Sequence, residues 1–200
     1  MWAFAGLHLA VGGGIDGEVG LDRVVVLETE RLALRQLTEA DAAFMLALLN
    51  DPAFVRFIGD RGVRTLDEAR GYLASGTVAS YARNGFGLYL VERKPEGTAV
   101  GICGLVKRDG LDDVDLGYAF LPAFRGRGYA LEAAAAVLAH ARQALGLKRI
   151  VAVVSPGNER SIRLLERLGL RFERMVQLPG DDDAIKLFGP SEPIVPPFTV

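Results

Sequence analysis

The stretch RGRGYALEA, Arg125 to Ala133, constrains the fold more than any other part of the chain. It follows an alternating apolar run, DVDLGYAFL, that Pro122 ends. It opens a helical run from Gly128 to about Leu145, closed by Gly146, after which RIVAVV reads as a buried strand. Strand, helix and strand in that order make a crossover unit. Its two strands must lie parallel in one sheet, with the helix packed on a face. Leu131, Ala134, Leu138, Ala141 and Leu145 recur at helical spacing and are expected to face that sheet. Gly126 and Gly128 reach backbone conformations closed to other residues and let a ligand approach the main chain. The first N–H groups of the helix they open have no partner within it. Together with the helix dipole those groups form a site for phosphate oxygens, to which Arg125 and Arg127 would add charge-assisted contacts.

The flanking elements place this unit in a mixed α/β (α+β) fold with helices on both faces of a twisted mixed sheet. RVVVLETERLALRQL predicts one strand, roughly Val24 to Arg35. Thr38 and Asp41 form an approximate capping box before AAFMLALLN, a helix that should stop near Asp51-Pro52. Thr65 and Glu68 repeat the device for a second helix reaching about Ala82. NGFGLYLVE and AVGICGLVK read as two strands joined by Lys94-Pro95-Glu96-Gly97. NERSIRLLERLG is a helix with Asn158 as its N-cap and Gly169 as its stop. LRFERMVQL and AIKLF form a closing hairpin around Gly180 to Asp183.

A chain of 200 residues, half of them apolar, is expected to form one domain. Residues 1–23 read as a glycine-rich, poorly ordered extension, 24–189 as the domain and 190–200 as a proline-rich tail. The net charge of −2 gives no global basic field for nucleic acid, so an anion site must be local. The apolar start, MWAFAGLHLAVGGG, is too short to span a membrane and lacks the basic segment of a secretory signal, which predicts a cytoplasmic protein. A single cysteine excludes an internal disulfide, and two distant histidines argue against zinc; no metal is expected.

Of the known phosphate loops, a P-loop is absent. A dinucleotide fingerprint fails at its third glycine, where Leu131 stands. Arg125, Gly128 and Ala130 instead match the pattern Arg or Gln, two residues, Gly, one residue, Gly or Ala. The stretch resembles the pyrophosphate loop of the GNAT acetyltransferase superfamily. LETERLALRQLTEADA, GICGLVKRDGLDDVDLGYAFLPAFRGRGYALEA and VSPGNERSIRLLERLGLRFE look like segments of its RimJ/RimL branch, in the right order. That resemblance implies acetyl-CoA as co-substrate, an amine acceptor, and direct transfer without an acyl-enzyme.

It also implies a pair of splayed parallel strands that hold the cofactor. Amides near Phe120 and Leu121 would take the pantetheine arm, and one at Tyr118 or Ala119 would polarise the thioester carbonyl. Arg125, Gly126, Arg127, Gly128, Tyr129 and Ala130 would hold the pyrophosphate. Asn158 and Ser161 match the second cofactor helix, with Ser161 a candidate donor to the departing sulfur. Many members carry a tyrosine acid seven residues after this asparagine, where this chain has Leu165. Asp113 and Asp115 are candidate bases, Asp115 the first choice. Cys103 lies in an apolar strand with no histidine nearby and is read as a core thiol.

An α-amine, pKa near 7.8, is neutral in roughly one molecule in seven at pH 7. A lysine is neutral in about one in 2,500, a further cost of ~3.5 kcal/mol. A protein or peptide N-terminus is therefore the expected acceptor. A polyamine, an aminoglycoside, or a CoA-binding module without catalysis are the alternatives.

Overall fold

The computed structural model describes residues 23–180 and 183–191, so the expected extension and tail fall almost wholly outside the described residues. In chain order the elements are β1 (Val25–Glu28), β2 (Leu32–Gln36), α1 (Ala42–Leu49), α2 (Pro52–Phe57), α3 (Leu66–Tyr72), α4 (Ala79–Asn84), β3 (Leu88–Arg93), β4 (Thr98–Val106), β5 (Val114–Phe120), α5 (Tyr129–Gln143), β6 (Ile150–Val154), α6 (Glu159–Arg167), β7 (Leu170–Val176) and β8 (Ile185–Pro190). They build one mixed sheet in the order β1-β2-β3-β4-β5-β6-β8-β7. Among the described strands only β5 and β6, the two strands of the predicted crossover, run parallel. The closing hairpin of β7 and β8 is present, and β8 extends through Pro190, opposite Leu170.

The sheet is covered on both faces. The buried residues of α5 and α6, among them Ala134, Val137, Leu138 and Leu165, pack with Val91, Cys103 and Leu116 of the sheet. Met45, Leu48, Phe54 and Leu73, from the helices between β2 and β3, cover Leu90 and Ile102 on the other face. Leu131 and Leu145, expected on the core stripe of α5, are only half-buried; Ala133 and Val137 are more deeply covered. Cys103 is fully buried among apolar side chains, and burial pushes its thiol pKa up, which suits packing and not nucleophilic attack.

Two local readings need correction. The single strand expected from Val24 to Arg35 is a hairpin of β1 and β2. At its turn Thr29 N–H donates to Leu32 O (2.8 Å) and Leu32 N–H donates to Thr29 Oγ1 (3.0 Å). A threonine side chain that bonds its own backbone offers the chain an alternative to continuing the strand. Asp51-Pro52, read as a stop, also starts α2. Asp51 accepts from Ala53 N–H and Phe54 N–H (both 3.1 Å), and Pro52 occupies the first helical position, where its missing N–H costs nothing. The second helix does begin with the reciprocal Thr65–Glu68 box and runs as α3, a π-helical stretch Leu73–Val78, and α4. Among the described residues no helix is long and apolar enough to cross a membrane.

Candidate active site

The site begins where β5 and β6 part. Their parallel pairing covers only Val114↔Ile150 and Asp115↔Val151. Beyond it β5 stays with β4 as far as Phe120↔Gly101, while β6 turns to β8 at Ala152↔Phe188. A wedge opens between two strands that remain in one sheet. Which β5 groups face it follows from ladder alternation. Leu121 N–H donates to Val100 O (3.0 Å), so Leu121 points toward β4, and Ala119 with it. Leu116, Tyr118 and Phe120 therefore turn their main-chain groups to the wedge. Of the amides proposed from sequence, Tyr118 and Phe120 are available, whereas Leu121 and Ala119 are committed to β4. Strand alternation decides this, and it needs the register, which sequence did not supply.

The predicted loop follows directly. Gly126 and Gly128 have φ of +75° and +83°, the left-handed region that favours glycine. A Cβ built on Gly126 meets nothing within 4 Å, and one on Gly128 meets only the Arg31 guanidinium at 3.3 Å, so the loop is an open cradle. It feeds α5, whose backbone ladder begins with Glu132 N–H donating to Gly128 O (3.1 Å), leaving the N–H groups of Tyr129, Ala130 and Leu131 free of intrahelical partners. Tyr129 is buried, Ala130 half-buried and Arg127 exposed. Arg125 is occupied by protein: its Nε donates to Phe120 O (2.8 Å), a carbonyl that faces the wedge, and its Nη2 pairs with the buried carboxylate of Asp51.

A brace that sequence reading missed holds this loop. Arg31 donates to Arg127 O (3.1 Å) and to Glu132 Oε2 (2.7 Å), and lies over the Tyr129 ring at 4.8 Å. Thr29 Oγ1 and Arg31 N–H donate to the other Glu132 oxygen (2.6 and 3.0 Å). Burial alone would raise the Glu132 pKa, but these donors hold it below the ordinary value. Glu132 in the first turn was the one available sign of the brace.

A cavity of about 460 Å³ lies at the wedge, lined by β5 from Asp115 to Ala119, by β6 from Ala152, by Asn158 and Ser161, and also by Phe54, Phe57, Ile58, Arg61 and Tyr72. Asn158 is the N-cap of α6, its Oδ1 accepting from Ser161 N–H (3.2 Å). The Ser161 hydroxyl lies 2.5 Å from the Tyr118 hydroxyl, which burial holds neutral by raising its pKa. Leu165 is buried, as its position on the inner face of α6 requires. Asp115 is wholly buried, with both oxygens engaged. Arg108 Nε donates to Oδ2 (2.5 Å) and Val153 N–H donates to Oδ1 (3.0 Å). Burial raises its pKa against the pull of those two donors. Asp113 pairs outward with Arg149 (2.8 Å). Among the described residues no His, Cys, Asp and Glu side chains gather as a metal site.

Comparison with known proteins agrees with this architecture. The uncharacterized N-acetyltransferase YoaA of Bacillus subtilis is 29% identical over 155 residues, 76% of this chain and 86% of that protein. The crystal structure of an acetyltransferase from Agrobacterium tumefaciens is 25% identical, with a TM-score of 0.71 over 90% of this chain and all of that one. RimL, a ribosomal L7/L12 α-N-protein acetyltransferase solved with coenzyme A, has the same fold (TM-score 0.71, 82% of this chain and 96% of that one) at 17% identity. Residues 31–171 match the Acetyltransferase (GNAT) domain family: the chain belongs to the GNAT acetyltransferases.

Proposed function

We propose that the protein is an acetyl-CoA-dependent N-acetyltransferase of the RimJ/RimL-like kind, acting on the α-amine of a protein or peptide. The observation that carries the reading is continuity. The open edge of β5, the Gly126–Gly128 cradle and the free N–H groups of α5 follow one another directly along the chain, the strand edge suited to a pantetheine arm and the helix start to a pyrophosphate. The residues present fit CoA, because no side chain comes within 4 Å of a Cβ built on Gly126, only Arg31 borders Gly128, and beyond Asp115 the β5 edge has no strand partner on the β6 side. Bound there, acetyl-CoA supplies an activated thioester.

The chain's own groups would then divide the work. The N–H of Tyr118 or Phe120 points into the wedge and would polarise the thioester carbonyl. Gly126 to Ala130 would hold the pyrophosphate through backbone. Ser161, backed by Tyr118, would donate a hydrogen bond to the departing sulfur. Neither hydroxyl needs to lose its proton for good: the amine nitrogen sheds one as the C–N bond forms and the C–S bond breaks, and a water carries it to the thiolate. A CoA thiol is about as acidic as cysteine, near pKa 8.5, so the transfer needs no strong acid.

The acceptor side favours an α-amine over a polyamine. Two arginines, Arg61 and Arg108, and two acids, Asp109 and Asp115, line the cavity, and Asp115 is already neutralised by Arg108. Among the described lining residues no acidic surplus remains to draw a polycation, and Phe54, Phe57, Ile58 and Tyr72 offer apolar contact to a peptide instead. The test is an assay of thiol release from acetyl-CoA with peptides of varied N-termini, spermidine and an aminoglycoside. Peptide-dependent release is expected. Release with the small amines alone would move the function to them. CoA binding without release on any amine would make the protein a non-catalytic module.

A further inference from the structure

We infer that Asp115 is the wedge that splits β5 from β6, a positioning residue for the cofactor slot and not the base that its place in the sequence suggests. The inference rests on reading that slot as the CoA site.

Strands pulled apart inside a sheet leave amides and carbonyls that tend to pair again, so something must prevent it. The register names the contact that is prevented. With Val114 opposite Ile150, and Leu116 the next β5 residue facing β6, Val153 N–H is the donor that a continued parallel ladder would give to Leu116 C=O. Val153 does not make that bond. It donates to Asp115 Oδ1 at 3.0 Å. Val153 is free to face this way because Ala152 and Val154 turn to β8 in the alternation of that ladder. The carboxylate therefore takes the first rung at which the strands separate, and the Leu116 carbonyl is left without its strand partner.

Asp115 is held for this purpose through its backbone and its second oxygen. By the alternation of the β4–β5 ladder, its main chain pairs with Val106 of β4, which fixes its backbone. Arg108, from the loop after β4, donates to its second oxygen. The residue is 0% exposed, and both carboxylate oxygens are already engaged, one by Arg108 and the other by Val153 N–H. A wholly buried carboxylate with two donors is costly unless both are kept, and here one of the two is the amide that would otherwise close the slot.

The test compares Asp115→Asn, which keeps an acceptor for Val153 N–H, with Asp115→Leu, which fills the space and removes the acceptor. CoA affinity is measured by calorimetry, and exchange of the Val153 amide by NMR in the CoA-free protein. Asp115→Leu is expected to bind CoA at least tenfold more weakly while folded, with Val153 N–H more protected as it pairs with Leu116. Asp115→Asn is expected to bind within a few-fold of the parent and to leave that amide unchanged. If Asp115→Leu does not fold, Asp115→Ser, too short to reach the amide, replaces it with the same expectation. A folded variant without the acceptor that binds CoA as the parent does overturns the inference. So does Asp115→Asn with parental CoA affinity and a hundredfold loss of turnover, which would make Asp115 the base. Failure of the parent itself to bind CoA would refute the proposed function, while Val153 exchange would still read the wedge.

Discussion

Replacing Arg125 by alanine should damage the fold more than it damages CoA binding. Sequence alone makes Arg125 a charged arm over the pyrophosphate, and an arm of that kind is worth about 1.5–3 kcal/mol of affinity, roughly ten- to 150-fold. The structure commits the side chain elsewhere. Its Nε ties the open-edge carbonyl of Phe120, and its Nη2 neutralises Asp51, whose side chain is 5% exposed and caps α2. Removing one partner of a buried ion pair costs up to about 3–5 kcal/mol. Arg125 is itself 30% exposed and Asp51 keeps two amide donors, so about 2–3 kcal/mol is the reasonable share. For a domain of this size that lowers the melting temperature by roughly 4–12 °C. Melting curves of Arg125→Ala, Asp51→Asn and the double variant give the coupling directly, because asparagine still caps a helix while losing the charge. A coupling of at least about 1 kcal/mol is expected, with CoA affinity of Arg125→Ala weakened less than about tenfold. An unchanged melting curve together with a larger loss of affinity would refute the reasoning and return Arg125 to the phosphate.

Gly128→Val should be more harmful to CoA binding than Arg125→Ala. It forces a β-branched residue to φ +83° and sets its Cβ 3.3 Å from Arg31, so a folded variant that binds CoA within a few-fold of the parent would show that the cradle is not made of backbone. Ser161→Ala should lower kcat about five- to thirtyfold with little change in KM for acetyl-CoA, as loss of one hydrogen bond of ~1–2 kcal/mol to a partly charged sulfur implies; Tyr118→Phe should cost less, and parental kcat in Ser161→Ala would leave the sulfur to water alone. Asp41 and Glu132 are both held below the ordinary carboxyl pKa: burial pushes each up, but Arg35 and Thr38 outweigh it for Asp41, as do Thr29 and Arg31 for Glu132. Depressed acids contribute stability that is present above their unfolded pKa, near 4, and lost as pH falls through the lower folded value. The urea midpoint of the parent should therefore drop below about pH 4 more steeply than those of Asp41→Asn and Glu132→Gln, and parallel curves would reject this account.

The crossover of β5, α5 and β6, the glycine pair at the helix mouth, the N-caps at Thr65 and Asn158 and the burial of Cys103 were all legible in the residues, because each depends on neighbours within a few positions or on apolar periodicity. Other features were not. Thr29 turns β1 back on β2 through its own hydroxyl, inside a run whose pattern alone reads as one strand. Asp51-Pro52 ends one helix and begins another, since the same two residues suit both jobs. Asp51 and Arg125 are 74 residues apart, and Tyr118 and Ser161 are 43. Nothing local ties those pairs together. They meet because α2 packs against the sheet face under the loop and α6 returns beside the open edge of β5. The amides that face the wedge depend on ladder alternation, so one shift of register would have exchanged Tyr118 and Phe120 for Ala119 and Leu121. Local chemistry, written in the sequence, marked the glycine loop and the open helix start that are proposed to take a phosphate. The partners of its charged and hydroxyl groups were settled only when long-range strand order brought distant segments within hydrogen-bonding reach.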